Sequence, residues 1–298
     1  MTSPRLHSVT VIGCGLIGTS VALRLTRAGI AVALADLDPT AVALAAGRGA
    51  GTPLAPDAPP ADLVVVATPP SAVVDTLYEA QARGLGRSYT DMAGAKALIW
   101  EEAELRGCDL RGYVPGHPMA GRELSGPAAA DPALFDGRPW ILCPGPTAPA
   151  EAVASVEELV ALCGGIPHRM TPGAHDEAVA TVSHTPMLVA AVLAAQLAGT
   201  SPEVLALAGG GLRDTTRIAA SDPGLWSDIL THNAPAVAAA VERVAADLTL
   251  AAAELRDGSD TGSVTVGALL LQGNRGRAAL LDATGSRNPG DAPSPTRV

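Results

Sequence analysis

The sequence contains a single lysine, Lys96, beside 19 arginines, and its 30 acidic residues outnumber the 20 basic ones. The net charge of −10 disfavours nucleic acid and anionic membranes as partners, because both carry negative charge. An anionic ligand would therefore have to be bound by local arginine or histidine side chains. We expect a small-molecule ligand, no nucleic acid and no membrane.

Cysteine is also scarce, and long hydrophobic segments are lacking. The four cysteines form no C-x-x-C pair and no metal-ligand spacing, so we expect reduced thiols and no metal. Nothing before Val9 resembles a signal peptide, and the apolar run at residues 187–197 is too short to span a bilayer. These observations predict a soluble, cytoplasmic protein.

The most informative segment that is present, residues 9–18, joins a β-branched apolar run to a Gly-x-Gly-x-x-Gly turn. In such a turn Gly13 permits the tight bend, Gly15 lets the backbone approach a pyrophosphate, and Gly18 lets the following helix pack on the strand. The helix predicted over residues 16–28 directs the backbone N–H groups of Leu16 and Ile17 toward that phosphate. We interpret this segment as a dinucleotide site.

The choice of dinucleotide depends on the end of the next strand. A strand predicted over residues 31–35 ends at Asp36, 23 residues after Gly13. A carboxylate there accepts hydrogen bonds from the ribose hydroxyls and repels a 2′-phosphate, so we expect NAD rather than NADP. A further strand, residues 63–67, stops at Thr68 and Pro69, which we expect at the same cofactor crevice.

The remaining pattern predicts two domains. The first half alternates β-rich runs with helical patterns, which is typical of a parallel sheet with crossover helices, and further strands are predicted at residues 88–91, 112–115 and 140–143. After residue 172 we predict helices over residues 177–198, 202–208, 212–220 and 223–256.

The fold class is therefore α/β, with a Rossmann-type dinucleotide-binding domain (residues 1–168) followed by an all-helical substrate and dimerisation domain (residues 169–257). An apolar stripe on the last helix suggests a homodimer through the helical domain. Residues 258–298 are expected to form a flexible tail, with a strand possible at 264–272 and disorder at 285–298.

Four further motifs follow the glycine turn in a fixed order. They are Thr-Asp-Met-Ala-Gly-Ala-Lys at residues 90–96, Pro-Gly-His-Pro-Met-Ala-Gly at 115–121, Ser-His-Thr-Pro at 183–186, and the glycine- and arginine-bearing segment at 209–226. Over residues 8–256 this combination resembles the prephenate/arogenate dehydrogenase family of tyrosine biosynthesis.

The resemblance implies a reaction and a base. Such enzymes take a hydride from carbon 4 of a cyclohexadiene while the carbon-1 carboxylate leaves as CO2, which makes the ring aromatic. The chemistry needs NAD, cations for a dianionic substrate, and a base for the proton on the carbon-4 oxygen. The family's catalytic histidine falls on His117, which is expected in a loop at the end of a strand, and a pKa near 6.5 suits a base.

The resemblance also implies substrate-binding residues in the helical domain. Arg217 matches the family arginine that binds a substrate carboxylate, Asp214 is expected to orient it, and Trp226 matches a tryptophan near the site. A solvated surface charge is the simpler interpretation of Arg213.

Three other polar residues are candidates for the site. His184 precedes a helix-kinking proline by two residues and is a candidate for the cleft, with a buried structural histidine as the alternative. His175 resembles a family position that is more structural than catalytic. Lys96 is expected to pair with Asp91 or to position its loop.

Two departures from the family bear on the substrate. Gly94 stands where serine is common, near the carbon-4 hydroxyl and the catalytic histidine, and Met187 stands where some members have histidine. Prephenate, arogenate and a 4-amino-4-deoxy analogue therefore stay open as substrates. A β-hydroxyacid dehydrogenase is disfavoured because the helical region lacks a lysine base. A catalytically silent NAD-binding sensor or scaffold is the alternative from another class.

Overall fold

The computed structural model describes residues 6–122, 124–258 and 260–285. The disorder predicted at 285–298 therefore lies outside the described residues, except for Gly285. The strands are β1 (Ser8–Ile12), β2 (Ala31–Ala35), β3 (Thr52–Pro53), β4 (Ala61–Val66), β5 (Gly86–Asp91), β6 (Gly116–Pro118), β7 (Pro139–Leu142) and β8 (Ile166–Arg169). The helices are α1 (Leu16–Arg27), α2 (Pro39–Gly47), α3 (Pro70–Ala82), α4 (Ala97–Arg106), α5 (Ala150–Leu162), α6 (Pro172–Val179), α7 (Thr185–Ala195), α8 (Pro202–Leu205), α9 (Gly210–Thr216), α10 (Pro223–His232), α11 (Ala234–Asp257) and α12 (Asp260–Thr284).

The main sheet is parallel, with strand order β3-β2-β1-β4-β5. Its central strands are apolar along their length because helices cover both faces. On β4, Leu63 and Val65 pack with α1 and α5, whereas Val64 and Val66 pack with α3 and α4. This arrangement confirms the α/β fold class and aligns the carboxyl ends of β1, β2 and β4 at one edge of the sheet.

A second, three-stranded sheet carries the candidate base. Strand β6 pairs antiparallel with β7, and β7 pairs parallel with β8. The prediction of a strand at residues 112–115 was wrong: only Tyr113 bridges to Tyr89 there, and the strand begins at Gly116. His117 accordingly lies within β6, opposite Ile141, rather than in a loop. Gly116 permits this path, because a Cβ there would lie 2.9 Å from the Asp91 carbonyl oxygen.

The helical region contains two interruptions that periodicity did not predict. A π-helical turn, Ala180–His184, separates α6 from α7. Pro186 explains it, since proline lacks an N–H and its ring displaces the carbonyl four residues earlier. The helix predicted over residues 223–256 is two helices, α10 and α11, separated by Asn233 at φ −124° and ψ 29°.

The strand considered at residues 264–272 was also wrong, because this segment lies within α12. Alanine and leucine are frequent in α12, and both are strong helix formers. The helix covers most of the segment for which we expected a flexible tail.

The described residues form two compact units, which divide after Ala238. Both sheets and helices α1–α10 belong to the first unit. The domain boundary at residue 168 stays a prediction. Most of α11 and all of α12 belong to the second unit. Within α11 the side chains of Leu248, Leu250 and Leu255 are exposed.

Among the described residues, one helical stretch, Pro172–Ala195, is long and apolar enough to cross a membrane by length and composition, with a mean hydropathy of 1.7 over an 18-residue window. It is longer than the apolar run recognised in the sequence because α6, the π-helical turn and α7 are continuous. The stretch includes the polar residues His175, Asp176 and His184, which are buried and hydrogen-bonded inside the first unit. We therefore interpret it as part of the folded core around the candidate site.

Candidate active site

The turn after β1 has the geometry of a phosphate-binding loop. Gly13 has a φ of +104°, and a Cβ there would overlap the Ala67 carbonyl oxygen. At Gly18 a Cβ would overlap the Gly13 carbonyl oxygen, so helix and strand pack too closely for any other residue. Gly15, in contrast, faces open space, with no atom within 4 Å of a Cβ. These three positions fit a bound pyrophosphate at the start of α1.

Asp36 is held directly against this turn. Its Oδ2 accepts a hydrogen bond from the Cys14 backbone N–H at 2.6 Å, and its Oδ1 accepts one from the Asp38 N–H at 2.9 Å. Each carboxylate oxygen has lone pairs left for a further donor. At the same sheet edge the Thr68 hydroxyl is buried without a hydrogen-bond partner among the described residues. The edge therefore offers two things to a ligand: the carboxylate of Asp36, which can accept hydrogen bonds from a ribose, and the unpaired hydroxyl of Thr68.

A cavity of about 570 Å³ adjoins this edge. Pro69 and Ser71 line one side of it, and the α10 residues Leu225, Asp228 and Thr231 line the other. Ser71 donates hydrogen bonds to Asp228 Oδ2 from its N–H at 3.1 Å and from its hydroxyl at 2.9 Å. The helix that carries Trp226 is thus fixed beside the cofactor edge.

The candidate base belongs to a chain of hydrogen bonds between three side chains. His117 Nδ1 lies 2.8 Å from His175 Nε2, and His175 Nδ1 lies 2.7 Å from Asp176 Oδ1. The Asp176 carboxylate also accepts the backbone N–H groups of Lys96 and Ala97, at 2.9 and 2.8 Å. The carboxylate therefore anchors the chain to the start of α4.

The direction of these bonds follows from the carboxylate, which only accepts. His175 must donate from Nδ1, so its neutral ring accepts at Nε2, and His117 must donate from Nδ1. His117 Nε2 is then left with a free lone pair. A Cβ added at Gly94 would lie 3.7 Å from this atom, so the space beside Gly94 adjoins the lone pair.

The surroundings of His117 keep it neutral. Burial lowers its pKa well below 6.5, and His175, Lys96 and His184 lower that pKa further through their charges. Burial likewise lowers the pKa of His175, although the hydrogen bond to Asp176 opposes that shift. The base form of His117 is thus the populated form at neutral pH.

The loop that carries Gly94 is held by a buried ion pair. The Lys96 Nζ donates to Asp91 Oδ1 at 2.7 Å and to the Ala93 and Ala95 carbonyl oxygens at 2.7 and 2.9 Å. The other carboxylate oxygen accepts the Tyr113 hydroxyl at 2.6 Å. The predicted pairing of Lys96 with Asp91 is confirmed, and both side chains are fully buried.

His184 lies in the same buried region, at the end of the π-helical turn. Its Nδ1 is 3.1 Å from Asn233 Nδ2, and its ring meets that of Trp226 edge to face, with centroids 6.1 Å apart. Burial lowers its pKa to about 4. His184 is therefore a buried histidine next to the predicted tryptophan, close enough to His117 to affect its pKa.

The other predicted substrate residues lie further along the chain, on an exposed surface. Asp214 is exposed on α9, and Arg217 is exposed on the 3-10 helix Arg217–Ala220, which packs against α7. Met187 is buried on α7. Contacts thus bring together His117, Gly94, His175 and His184 with Trp226. The elements that carry Asp214 and Arg217 pack against α7.

Sequence reasoning missed three residues of this region. The only signal for Asp176 in the sequence is its position next to His175. The only signal for Asn233 is that it is a polar residue within a helical pattern. Tyr113 gave no signal. In the described part of the chain, no group of three or more histidine, cysteine, aspartate or glutamate residues is arranged to hold a metal.

Two family models match the chain. Residues 21–167 match the nucleotide-binding domain of prephenate dehydrogenase, and residues 171–264 match its dimerization domain. A curated relative, the "Probable prephenate dehydrogenase NovF" of Streptomyces niveus, is 38% identical over 258 residues, covering 86% of this chain and 70% of the relative. The "Cyclohexadienyl dehydrogenase" of Zymomonas mobilis is 32% identical, covering 80% and 85%.

Two solved structures have the same fold. Aquifex aeolicus prephenate dehydrogenase, determined in complex with hydroxyphenyl propionate and NAD+, superposes with a TM-score of 0.81 at 26% identity, covering 94% of this chain and all of that one. Synechocystis arogenate dehydrogenase superposes with a TM-score of 0.74 at 27% identity, covering 92% and 99%.

Proposed function

The chain belongs to the prephenate dehydrogenase family, and from that premise we propose that it catalyses the NAD-dependent oxidative decarboxylation of prephenate to 4-hydroxyphenylpyruvate in tyrosine biosynthesis. The observation that carries the proposal is the oriented hydrogen-bond chain from Asp176 through His175 to His117. It leaves the Nε2 lone pair of His117 beside Gly94 in a molecule with a dinucleotide turn.

His117 is the proposed catalytic base. Its Nε2 accepts the proton of the carbon-4 hydroxyl as the carbon-4 hydrogen leaves with its electron pair. Bound NAD supplies the acceptor for that hydride. The bond from carbon 1 to the carboxylate then breaks, CO2 departs, and the electron pair completes the aromatic ring. The proton returns from His117 to the phenol oxygen, since the overall reaction releases none.

The cofactor-binding residues follow from the turn and the sheet edge. The backbone from Gly13 to Gly18, including Leu16 and Ile17, would hold the pyrophosphate, and Thr68 and Pro69 would border the nicotinamide. Asp36 would accept the ribose hydroxyls. Its position against the Cys14 N–H supports NAD over NADP, because a 2′-phosphate would meet a carboxylate.

We assign the substrate anion to the helical region. Arg217 would bind a carboxylate of the substrate, with Asp214 orienting the guanidinium, and a bidentate contact of this kind is charge-assisted. His184 and Trp226 would border the ring on the side of α10. Their edge-to-face contact and the burial of His184 support this assignment.

A second substrate is favoured by one observation, the absence of a side chain at Gly94 beside His117 Nε2. A serine hydroxyl there would hydrogen-bond the carbon-4 oxygen, and its loss leaves room for another group at carbon 4. A 4-amino-4-deoxy analogue of prephenate is therefore the second candidate. Arogenate, which keeps the carbon-4 hydroxyl, is not distinguished from prephenate by this position.

The test is the ranking of the three cyclohexadienes. Purified protein with NAD is assayed for kcat/KM on prephenate, arogenate and the 4-amino analogue. The proposal expects prephenate to rank first. A first rank for the 4-amino analogue would move the assignment to the second candidate, and turnover of none would leave the NAD-binding sensor.

We further propose that the protein is a cytoplasmic homodimer. The match to a dimerization domain over residues 171–264 and the exposed α11 leucines Leu248, Leu250 and Leu255 support self-association. Analytical ultracentrifugation should give twice the chain mass of 29.8 kDa, and a sedimentation mass of one chain at micromolar concentration would contradict the dimer.

A further inference from the structure

Asn233 interrupts the helical run between α10 and α11, and its side chain turns into the protein. The residue is 3% exposed. Its Nδ2 lies 2.9 Å from the Asp176 backbone oxygen and 3.1 Å from His184 Nδ1. One amide nitrogen thus joins the segment of the His175–Asp176 pair to the histidine at the end of the π-helical turn.

The orientation of this amide is fixed by chemistry. A backbone carbonyl only accepts hydrogen bonds, so the side-chain atom facing Asp176 must be the nitrogen of Asn233 and not its oxygen. The same NH2 group faces His184 Nδ1, which must therefore accept. A neutral His184 then carries its proton on Nε2, which is the opposite tautomer to the one required of His117.

We propose that Asn233 is a positioning residue that fixes His184 as a hydrogen-bond donor through Nε2, so that the site presents one accepting and one donating imidazole. His117 accepts the proton of the carbon-4 oxygen, and His184 donates to an acceptor oxygen of the substrate anion. This inference rests on the proposed function, and it assigns Asn233 a role in substrate binding rather than in proton transfer.

The charged and titratable groups around His184 do not disturb this assignment. The His175 ring lowers the pKa of His184 and the Asp176 carboxylate raises it, but burial dominates and brings the pKa to about 4. His117 also lies within electrostatic reach of His184, and Trp226, which packs on the ring, is uncharged. The ring is therefore neutral, with one tautomer, throughout the neutral pH range.

The substitution Asn233→Asp should reverse the tautomer. A carboxylate accepts from His184 Nδ1, and its negative charge raises the pKa of the ring. Above that raised pKa the neutral ring carries its proton on Nδ1, and Nε2 can no longer donate. We expect KM for prephenate to rise by about threefold to tenfold as the pH rises through the new pKa, the loss expected for one hydrogen bond. Wild-type protein should show no such step.

The matched control is Asn233→Asp combined with His184→Gln. Glutamine does not titrate, so the pH-dependent step in KM should disappear from the double variant. Asn233→Ala is the second variant in case the buried aspartate prevents folding. It frees the ring without adding charge, and KM should rise by a similar factor with no pH step.

The tautomer itself is measured without substrate. Nitrogen-15 NMR of histidine-labelled protein should give His184 protonated on Nε2 in the wild type and on Nδ1 in Asn233→Asp. A wild-type His184 protonated on Nδ1, or an unchanged KM in both folded Asn233 variants, would overturn the inference. Because the NMR measurement needs no turnover, the predicted tautomer in a protein inactive on every cyclohexadiene would refute the proposed function alone.

Discussion

At the scale of single residues, the reactivity of His117 depends on side chains distant in the chain. His175 lies 58 residues away, and its Nε2 is 2.8 Å from Nδ1 of His117, the proposed base. Such a partner selects which ring nitrogen carries the proton, and the wrong tautomer disables a catalytic histidine even when its position is unchanged. The rate of proton transfer to His117 Nε2 should therefore depend on the whole hydrogen-bond chain from Asp176 through His175.

Replacing His175 should separate positioning from packing. In His175→Leu nothing accepts the His117 Nδ1 proton, so the tautomer is no longer held, and kcat should fall by at least ~10-fold, part of the ~10²–10⁴ that a general base contributes. In His175→Gln the amide oxygen can accept that proton and kcat should be largely retained. Steady-state kinetics compares kcat of the two variants, and circular dichroism checks that both are folded. Equal kcat in the two variants would mean that His175 only fills space.

Gly94 can be examined with two variants that add the same Cβ. This atom would lie 3.3 Å from Ile229 Cγ2, so both Gly94→Ala and Gly94→Ser require Ile229 to shift slightly. Only the serine adds a hydroxyl near His117 Nε2. Relative to Gly94→Ala, Gly94→Ser should raise kcat/KM for prephenate over the 4-amino analogue by about threefold to tenfold, the value of one hydrogen bond. The same substrate ratio in both variants would show that this position does not approach carbon 4.

At the scale of elements, the sequence predicted the features whose conformation depends on residues close to them in the chain. The glycine turn, the helix after it and the acidic end of β2 depend on neighbouring residues, and all three were readable. The kink near Pro186 was also readable, although its π-helical form at Ala180–His184 was not. The helix break at Asn233 gave no local signal, because the Asn233 side chain makes a tertiary contact with His184, 49 residues earlier in the chain. Strand β6 was misread for the same reason: its partner β7 comes from a later part of the chain.

The loop between β5 and α4 owes its conformation to the Lys96–Asp91 pair, and its stability can be measured. Lys96→Met leaves the Asp91 carboxylate buried without its cation, and removing one member of such a pair typically costs about 3–5 kcal/mol of unfolding free energy. Arg169→Met, which breaks the exposed pair with Glu157, should cost less than about 1 kcal/mol. Urea unfolding at neutral pH compares them, and equal losses would refute the structural role of the buried pair.

At the scale of the whole molecule, the carboxylate of Asp36 at the sheet edge should determine which dinucleotide the enzyme uses. The protein should have a much higher kcat/KM with NAD than with NADP. Asp36→Ala removes both the ribose acceptor and the repulsion of a 2′-phosphate, so it should weaken NAD use and narrow the preference. Initial rates with NAD and with NADP give kcat/KM for each cofactor in the wild type and in Asp36→Ala. A wild-type preference for NADP would contradict the role of Asp36.

The pH profile of the whole enzyme should carry the signature of a base with a lowered pKa. Protonation of His117 abolishes its ability to accept a proton, so kcat/KM, which reports the pKa of the free enzyme, falls as the pH drops through that pKa. Since burial lowers that pKa well below 6.5, kcat/KM should stay level around neutral pH and decline only in more acidic solution. Initial rates at low prephenate concentration across the pH range measure this, and a decline of kcat/KM that begins above pH 6.5 would contradict it.

The central claim is that this molecule couples hydride transfer to loss of CO2 with His117 as the base. The most direct measurement follows NADH and CO2 together in purified protein supplied with prephenate and NAD. The account predicts that the two products form in equal amounts, and that His117→Asn lowers kcat by ~10²–10⁴ with little change in KM. Equal product formation at a near-normal kcat in His117→Asn, or no NADH from the wild type, would contradict it.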